Sequence, residues 1–484
     1  MKVGVIGAGI GGLATAVRLA AAGHEVVVFE ANATPGGKLS EFRSGPYRFD
    51  LGPSLFTMPM YVDELFSLAG RNPRDYFSYN RLPVVCRYFW DDGTRLSAYS
   101  DPTKLEEEVE NVLGVPGSRL RSALRDSRRK YELTGRIFLE HSLYKWQTWL
   151  NARVGKALLR LPQLDVFSTM HGVNKRHLRH PKMVQFFDRF ATYNGSNPYR
   201  APGILNIIPH FEQGFGAFFP INGMHHITRS IYRLACEMGV QFHFGKTVDR
   251  IIVKGKAVQG VEVEGAPHDF DRVVSNMDIF FTYQRLLSQH PQPRRILSQE
   301  KSTSALIFYW GINKSFEQLD LHNIFFSADY QNEFEHLARG EVCDDPTVYI
   351  NITSKYKPDD APAGCENWFT MINVPYNDGQ NWDRIISQAR GRILDKLSRN
   401  LGTDVETLIE TEEILEPRSI EARTGSHLGA LYGTSSNSRL AAFLRHPNRS
   451  SRISGLYFCG GSVHPGGGIP LSLLSAKIVA DNFC

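Results

Sequence analysis

At 484 residues, the chain exceeds what one ordinary hydrophobic core holds, so two or three lobes are expected. Hydrophobic content of 42% and charged content of 22% belong to a folded globular protein and exclude a disordered one. The net charge of +5 is small for this length and speaks against a nucleic-acid binder, and no apolar run reaches the roughly 18 residues of a membrane-crossing helix.

The first element is a strand over residues 2–6, apolar enough to be a buried parallel strand. Gly7-x-Gly9-x-x-Gly12 follows at once, then a helix to about Ala22 with Gly23 as its stop, then the strand "EVVVF" ending at Glu30. Each part has a job at a dinucleotide. Gly7 permits the tight turn, Gly9 admits the backbone close to a pyrophosphate, and Gly12 lets helix and strand touch. The helix start presents free N–H groups and a positive dipole end to phosphate. Glu30 is placed to accept hydrogen bonds from a ribose, and its charge disfavours a 2′-phosphate.

The next stretch separates NAD from FAD. Gly36-Gly37-Lys38 and Tyr47-x-Phe49-Asp50-x-Gly52-Pro53 resemble the second signature of the FAD-dependent amine oxidase and carotenoid desaturase superfamily. The cofactor implied is FAD. Lys38 stands where an arginine is usual; it keeps a charge for phosphate but loses the bidentate fork. In that family the segment after Gly-Pro runs along the flavin, which makes Ser54 and Leu55 candidate contacts.

Residues 118–160 carry eleven Lys/Arg against three acids, a net +8. Within them, Leu143, Trp146, Leu150, Val154, Ala157 and Leu161 form one helical stripe, with Lys145, Arg153, Lys156 and Arg160 largely off it. This pattern over 143–161 predicts a basic amphipathic helix lying on an anionic membrane surface, against the plainer reading of a helix packed on its own domain.

"FPINGMHHITRSIYRLACEMGVQFHFGKTVDRIIV" reads as turn, amphipathic helix, strand, turn, strand. It is similar to the family's middle segment, where the residue matching Val248 lends its backbone to adenine. His225 and His226 open that helix and are read as structural. "DRVVSNMD" resembles the strand end that follows in the family, with Asn276 at the matching contact position. Residues 301–375 alternate short β runs with turns, similar to the substrate-domain sheet of bacterial carotenoid desaturases.

The closing stretch "SGLYFCGGSVHPGGGIPLSLLSAKIVADNF" resembles the last motif of the phytoene-desaturase-like carotenoid desaturases, and its loop is similar to that of the 1-hydroxycarotenoid 3,4-desaturases. Pro470 suits the first turn of a helix aimed at the flavin. Gly461, Gly468 and Ile469 are its expected backbone contacts. His464 is read as holding the loop.

The resemblance implies an α/β, multi-lobed fold. A Rossmann-like FAD domain would be drawn from 1–80, 215–275 and 420–484, a mixed-sheet substrate domain from 81–100 and 276–419, and a helical lobe from 101–214. It implies a long apolar carotenoid as substrate and hydride transfer to flavin, with no catalytic side chain identified and no motif naming the acceptor that reoxidises the flavin. Alternatives are a phytoene or neurosporene desaturase, a terminal-methyl oxidase, an amine or protoporphyrinogen oxidase, and a non-enzymatic prenyl-binding escort protein. The six cysteines are scattered without C-x-x-C or zinc spacing, which fits reduced core residues of a cytoplasmic, peripherally membrane-associated protein and no metal site.

Overall fold

The computed structural model describes residues 1–144, 148, 160–438 and 445–483. Its first half-molecule is built on a five-stranded sheet in the order Gln241–Phe244, Glu25–Glu30, Lys2–Ile6, Arg272–Ser275, Leu456–Phe458, with every pair parallel. These strands come from three distant stretches of chain. Parallel strands covered on both faces must be apolar throughout, and Val3, Val5, Val26, Val28, Val273 and Val274 are accordingly buried.

One face is covered by the helix Ile10–Ala21 and the closing helix Ile469–Ala480, which pack on each other through Leu13, Val17, Leu473, Ala476 and their neighbours. The other is covered by an antiparallel ribbon, Val248–Lys254, Ala257–Val263 and Ala266–Asp269, with Ile251 and Val261 meeting Val27 and Phe29.

The second half-molecule is a seven-stranded mixed sheet. Its order is Ile409–Leu415, Ser304–Ile312, Glu366–Val374, Val348–Ile352, His322–Phe325, Val84–Phe89, Arg95–Tyr99; only the His322–Phe325 and Val84–Phe89 pair is parallel. Alternation along Ser304–Ile312 decides which side is which. Leu306, Phe308 and Trp310 pack with Trp368, Ile372 and the helix Trp382–Leu401. Ile307 and Tyr309 point the other way, with Phe369, toward Tyr47 and Phe49 of the nucleotide half.

Helices Pro102–Leu113, Gly117–Lys130, Met170–Leu178 and Pro181–Asp188 close over the sheet edge, burying Val109, Leu120, Met183 and Phe186 against Cys86, Tyr88 and Leu96. The architecture is the α/β, multi-lobed one expected. The predicted basic helix over 143–161 lies almost wholly outside the described residues. No described helix is long and apolar enough to cross a membrane.

Candidate active site

The two glycine-rich ends of the chain meet around one side chain. Asn276 leaves the strand Arg272–Ser275, its amide donating to the Ile6 carbonyl at 2.8 Å. A methyl group placed on Gly9 would lie 2.8 Å from its Nδ2, and on Gly11 or Gly460, 2.7 and 2.8 Å from its Oδ1. Gly12 is tighter still: a methyl there would sit 2.0 Å from the Gly7 carbonyl oxygen, so only hydrogen fits between helix and strand. Gly7 itself has φ +95°, which an L-residue rarely adopts.

Glu30 ends its strand buried. One carboxylate oxygen accepts from the Ala8 N–H at 2.7 Å, and the other from the Asn32 amide and side chain at 2.9 and 2.7 Å. The carboxylate thus sits against the Gly7–Gly9 turn, with lone pairs left over for a further donor. Val248 stands two residues beyond Lys246, whose N–H donates to the Glu30 carbonyl, so the two predicted nucleoside contacts are neighbours.

Gly36 donates to the Ala8 carbonyl and bridges Gly9, which brings the Gly-Gly-Lys segment onto the nucleotide turn. Lys38 follows in that segment. Its ammonium donates to the Leu431 carbonyl at 2.7 Å. Burial pulls its pKa down to about 8, with Asp278 acting to raise it. The Tyr47–Asp50 motif is structural. Asp50 accepts the Met224 and His225 N–H groups at 3.2 Å each, satisfying the start of the helix His225–Glu237, and binds Arg48 at 2.7 Å. Arg48 also meets Asp360 at 3.1 Å, which accounts for the acidic turn at 359–360.

At the other end, residues 463–467 are buried while Gly461 and Gly468 are half-exposed. Gly468 opens the closing helix with φ +103°, and a methyl group there would find no atom within 4 Å. Free space therefore faces the helix N-terminus, with Ile469 as the first helical residue. His464 Nε2 donates to the His141 carbonyl at 3.0 Å, and burial lowers its pKa to about 4, so the ring is neutral and fixed in the loop.

Arg445 lies beneath this loop. Its guanidinium donates to the Tyr432 and Thr434 carbonyls at 2.8 Å each and approaches the Gly461 carbonyl at 3.5 Å. Among the described residues it has no carboxylate partner, and burial lowers its pKa only to about 10, so the charge is retained. Ser54 and Leu55 are half-exposed just before the short strand Phe56–Thr57, which packs on the closing helix. Ser54 Oγ is 2.7 Å from the hydroxyl of Tyr349 on the substrate sheet.

Residues 10–483 match the family model described as flavin containing amine oxidoreductase. The chain belongs to that family. It is 50% identical over 481 residues to a 1-hydroxycarotenoid 3,4-desaturase of a Flavobacterium species, covering 99% of this chain and 98% of that protein. It is 33% identical over 488 residues to a 4,4'-diapolycopene oxygenase of a Methylomonas species, covering 99% and 97%. Among solved structures, cyclohexylamine oxidase from Brevibacterium oxydans has a TM-score of 0.63 at 18% identity over 99% of this chain and 98% of that one, a likeness of fold.

The enzyme is an FAD-dependent oxidoreductase, and its residues fit the cofactor. The cradle of Gly9, Gly11 and Gly460 around Asn276 leaves room for no side chain of its own, and the space in front of Gly468 is open. Sequence reasoning missed Gly11 and Arg445, and read Gly460 with Gly461 only as the strand end near the ribityl phosphate. Both Gly11 and Gly460 are explained by the Asn276 side chain wedged between them. Arg445 had no signal at all, since a lone arginine in a loop reads as surface.

Proposed function

We propose that this enzyme introduces the 3,4 double bond into a 1-hydroxylated carotenoid. The observation that carries the reading is 50% identity to an enzyme of that name over 99% of the chain, without a large gap at either half. Bound FAD supplies the two-electron hydride acceptor. The substrate loses a hydride from one carbon and a proton from its neighbour, and the conjugated chain delocalises the positive charge that develops between the two losses. Such chemistry asks the protein mainly for placement and dryness.

The chain's own residues divide that work. Gly9 admits the pyrophosphate at the turn made by Gly7 and the helix–strand contact made by Gly12, Glu30 takes the ribose and the Val248 backbone the adenine, with Asn276 pinning the cradle. Gly461, Gly468 and Ile469 bring backbone N–H groups to the flavin rim. The closing helix's N-terminus and the unpaired Arg445 add positive potential where negative charge gathers on reduction. Lys38 acts from the Leu431 side.

The substrate is drawn from a membrane through the basic segment 143–161. The residues leading into it support this: the Tyr144 hydroxyl donates to the Arg445 carbonyl and His464 holds His141, so the segment starts at the flavin loop. Liposome flotation checks it, with the wild type expected to float on anionic vesicles and a Trp146→Ser/Trp149→Ser double variant to remain below. Expression in cells accumulating different carotenoids tests the reaction. Conversion of a 1-hydroxylated carotenoid to a longer chromophore is expected. Conversion of phytoene alone, or oxygenated terminal methyls, would overturn it.

A further inference from the structure

The sheet face turned toward the nucleotide half is apolar along its middle strands but carries one polar chain. Ser54 Oγ lies 2.7 Å from the Tyr349 hydroxyl, and that hydroxyl 2.7 Å from His322 Nδ1. Asn351 Nδ2 also reaches His322 Nδ1, at 3.3 Å, while donating to the Leu321 carbonyl at 3.0 Å. An amide nitrogen only donates, so His322 Nδ1 is the acceptor and Nε2 carries the proton. The direction of the whole chain follows. Tyr349 donates to His322, and Ser54 donates to Tyr349.

Both ends are then left open. His322 is 3% exposed, and among the described residues its Nε2 has no hydrogen-bond partner. Burial holds the ring neutral, its pKa lowered to about 3. At the other end, the half-exposed Ser54 oxygen keeps lone pairs with nothing to accept. An incomplete polar chain in an apolar wall is costly unless something polar completes it.

We propose that Ser54, Tyr349 and His322 form the subsite for the hydroxyl group at the end of the substrate, an aliphatic alcohol on an otherwise apolar chain. This rests on the 3,4-desaturation reading given above. In a 1-hydroxy substrate the oxygen sits only two carbons from the bond that is oxidised, so its recognition group must adjoin the reacting centre. Ser54 meets that demand, lying between the sheet and the strand Phe56–Thr57 that packs on the closing helix. The alcohol donates to Ser54 Oγ, and the Tyr349–His322 chain fixes that oxygen's orientation. Anchoring the hydroxyl there sets which end of the molecule reaches the flavin.

The test compares a 1-hydroxylated carotenoid with its 1-deoxy analogue of equal conjugation, using flavin-loaded enzyme. The kcat/KM ratio is measured for wild type, Tyr349→Phe and Ser54→Ala, alongside binding of the desaturated products by quenching of protein fluorescence. Wild type is expected to favour the hydroxylated substrate by about tenfold or more, the worth of one hydrogen bond in an apolar site. Either variant is expected to bring the ratio toward unity, in product binding as well as in rate. Equal losses on both substrates, or an unchanged ratio at normal flavin content, would overturn the subsite. If wild type converts no hydroxylated carotenoid, it is the function assigned above that fails.

Discussion

The two halves of this molecule build their sites from different material. In the nucleotide half the proposed cofactor site is backbone: Gly7, Gly9, Gly11, Gly12, Gly460 and Gly468 carry no side chain where the two ends of the chain meet. The proposed hydroxyl subsite is made of side chains, Tyr349 and His322 on the seven-stranded sheet and Ser54 reaching them from the nucleotide half. A backbone site tolerates almost no substitution because there is no side chain to move aside. A side-chain site is retuned by single replacements, because the sheet beneath stays put. The relatives fit this contrast, since desaturases and oxygenases with different named substrates share the full length of the chain.

The sharpest way to break the comparison is Gly12→Ala. Its methyl would lie 2.0 Å from the Gly7 carbonyl oxygen, with backbone on both sides. The expected cost exceeds the ~1–3 kcal/mol of an ordinary overpacked core position. It is seen as loss of flavin absorbance per mole of protein and a lowered unfolding midpoint. A variant that kept its flavin would show the helix free to shift and the backbone half less strict than described.

Acidification probes the loop before the closing helix, which holds His464 and is bridged to His446. Burial lowers the folded-state pKa of His464 and His446 to about 4 from 6.5, so the unfolded chain binds protons first as pH falls. The stability that these neutral rings allow is therefore complete above about pH 6.5 and is lost as pH drops toward 4, by about 3 kcal/mol for each ring. Urea midpoints at pH 7 and pH 5 measure it, and His464→Gln, which keeps a donor for the His141 carbonyl, should flatten the dependence. An unaltered slope in that variant would assign the pH response elsewhere.

The smallest expected effect concerns charge under the flavin loop. Arg445→Met removes a buried cation, so the bound flavin should become harder to reduce. A loss of about 1.4 kcal/mol corresponds to about 30 mV for a two-electron couple. Dye equilibration reads the potential, and Arg445→Lys should restore most of it. Equal potentials in all three proteins would leave Arg445 as a clamp on the Tyr432 and Thr434 carbonyls alone.

Much of the nucleotide half was legible in the sequence because its information is local. The spacing Gly7-x-Gly9-x-x-Gly12, the alternation from strand to helix, Glu30 at the second strand's end and Pro470 after Gly468 are all set by residues adjacent in the chain. What was not legible lies where partners are distant. Lys38 is read as a phosphate contact by its place after Gly36-Gly37, and no local pattern shows that its ammonium also meets Leu431, nearly four hundred residues on. The motif at Tyr47–Asp50 marked the family resemblance, but not that Asp50 satisfies the start of a helix at His225.

By itself, then, the sequence determined the nucleotide-binding strand–turn–helix, the α/β class and the glycine loop before the closing helix, since backbone freedom and hydrophobic period are properties of neighbouring residues. Only the tertiary structure decided that Asn276 is the peg between the two glycine ends, that Arg445 is a buried cation with no carboxylate partner among the described residues, and that Ser54, Tyr349 and His322 form one polar chain. Those three facts depend on which side chains long-range strand pairing and helix packing bring within a few ångströms, and no local pattern carries that distance.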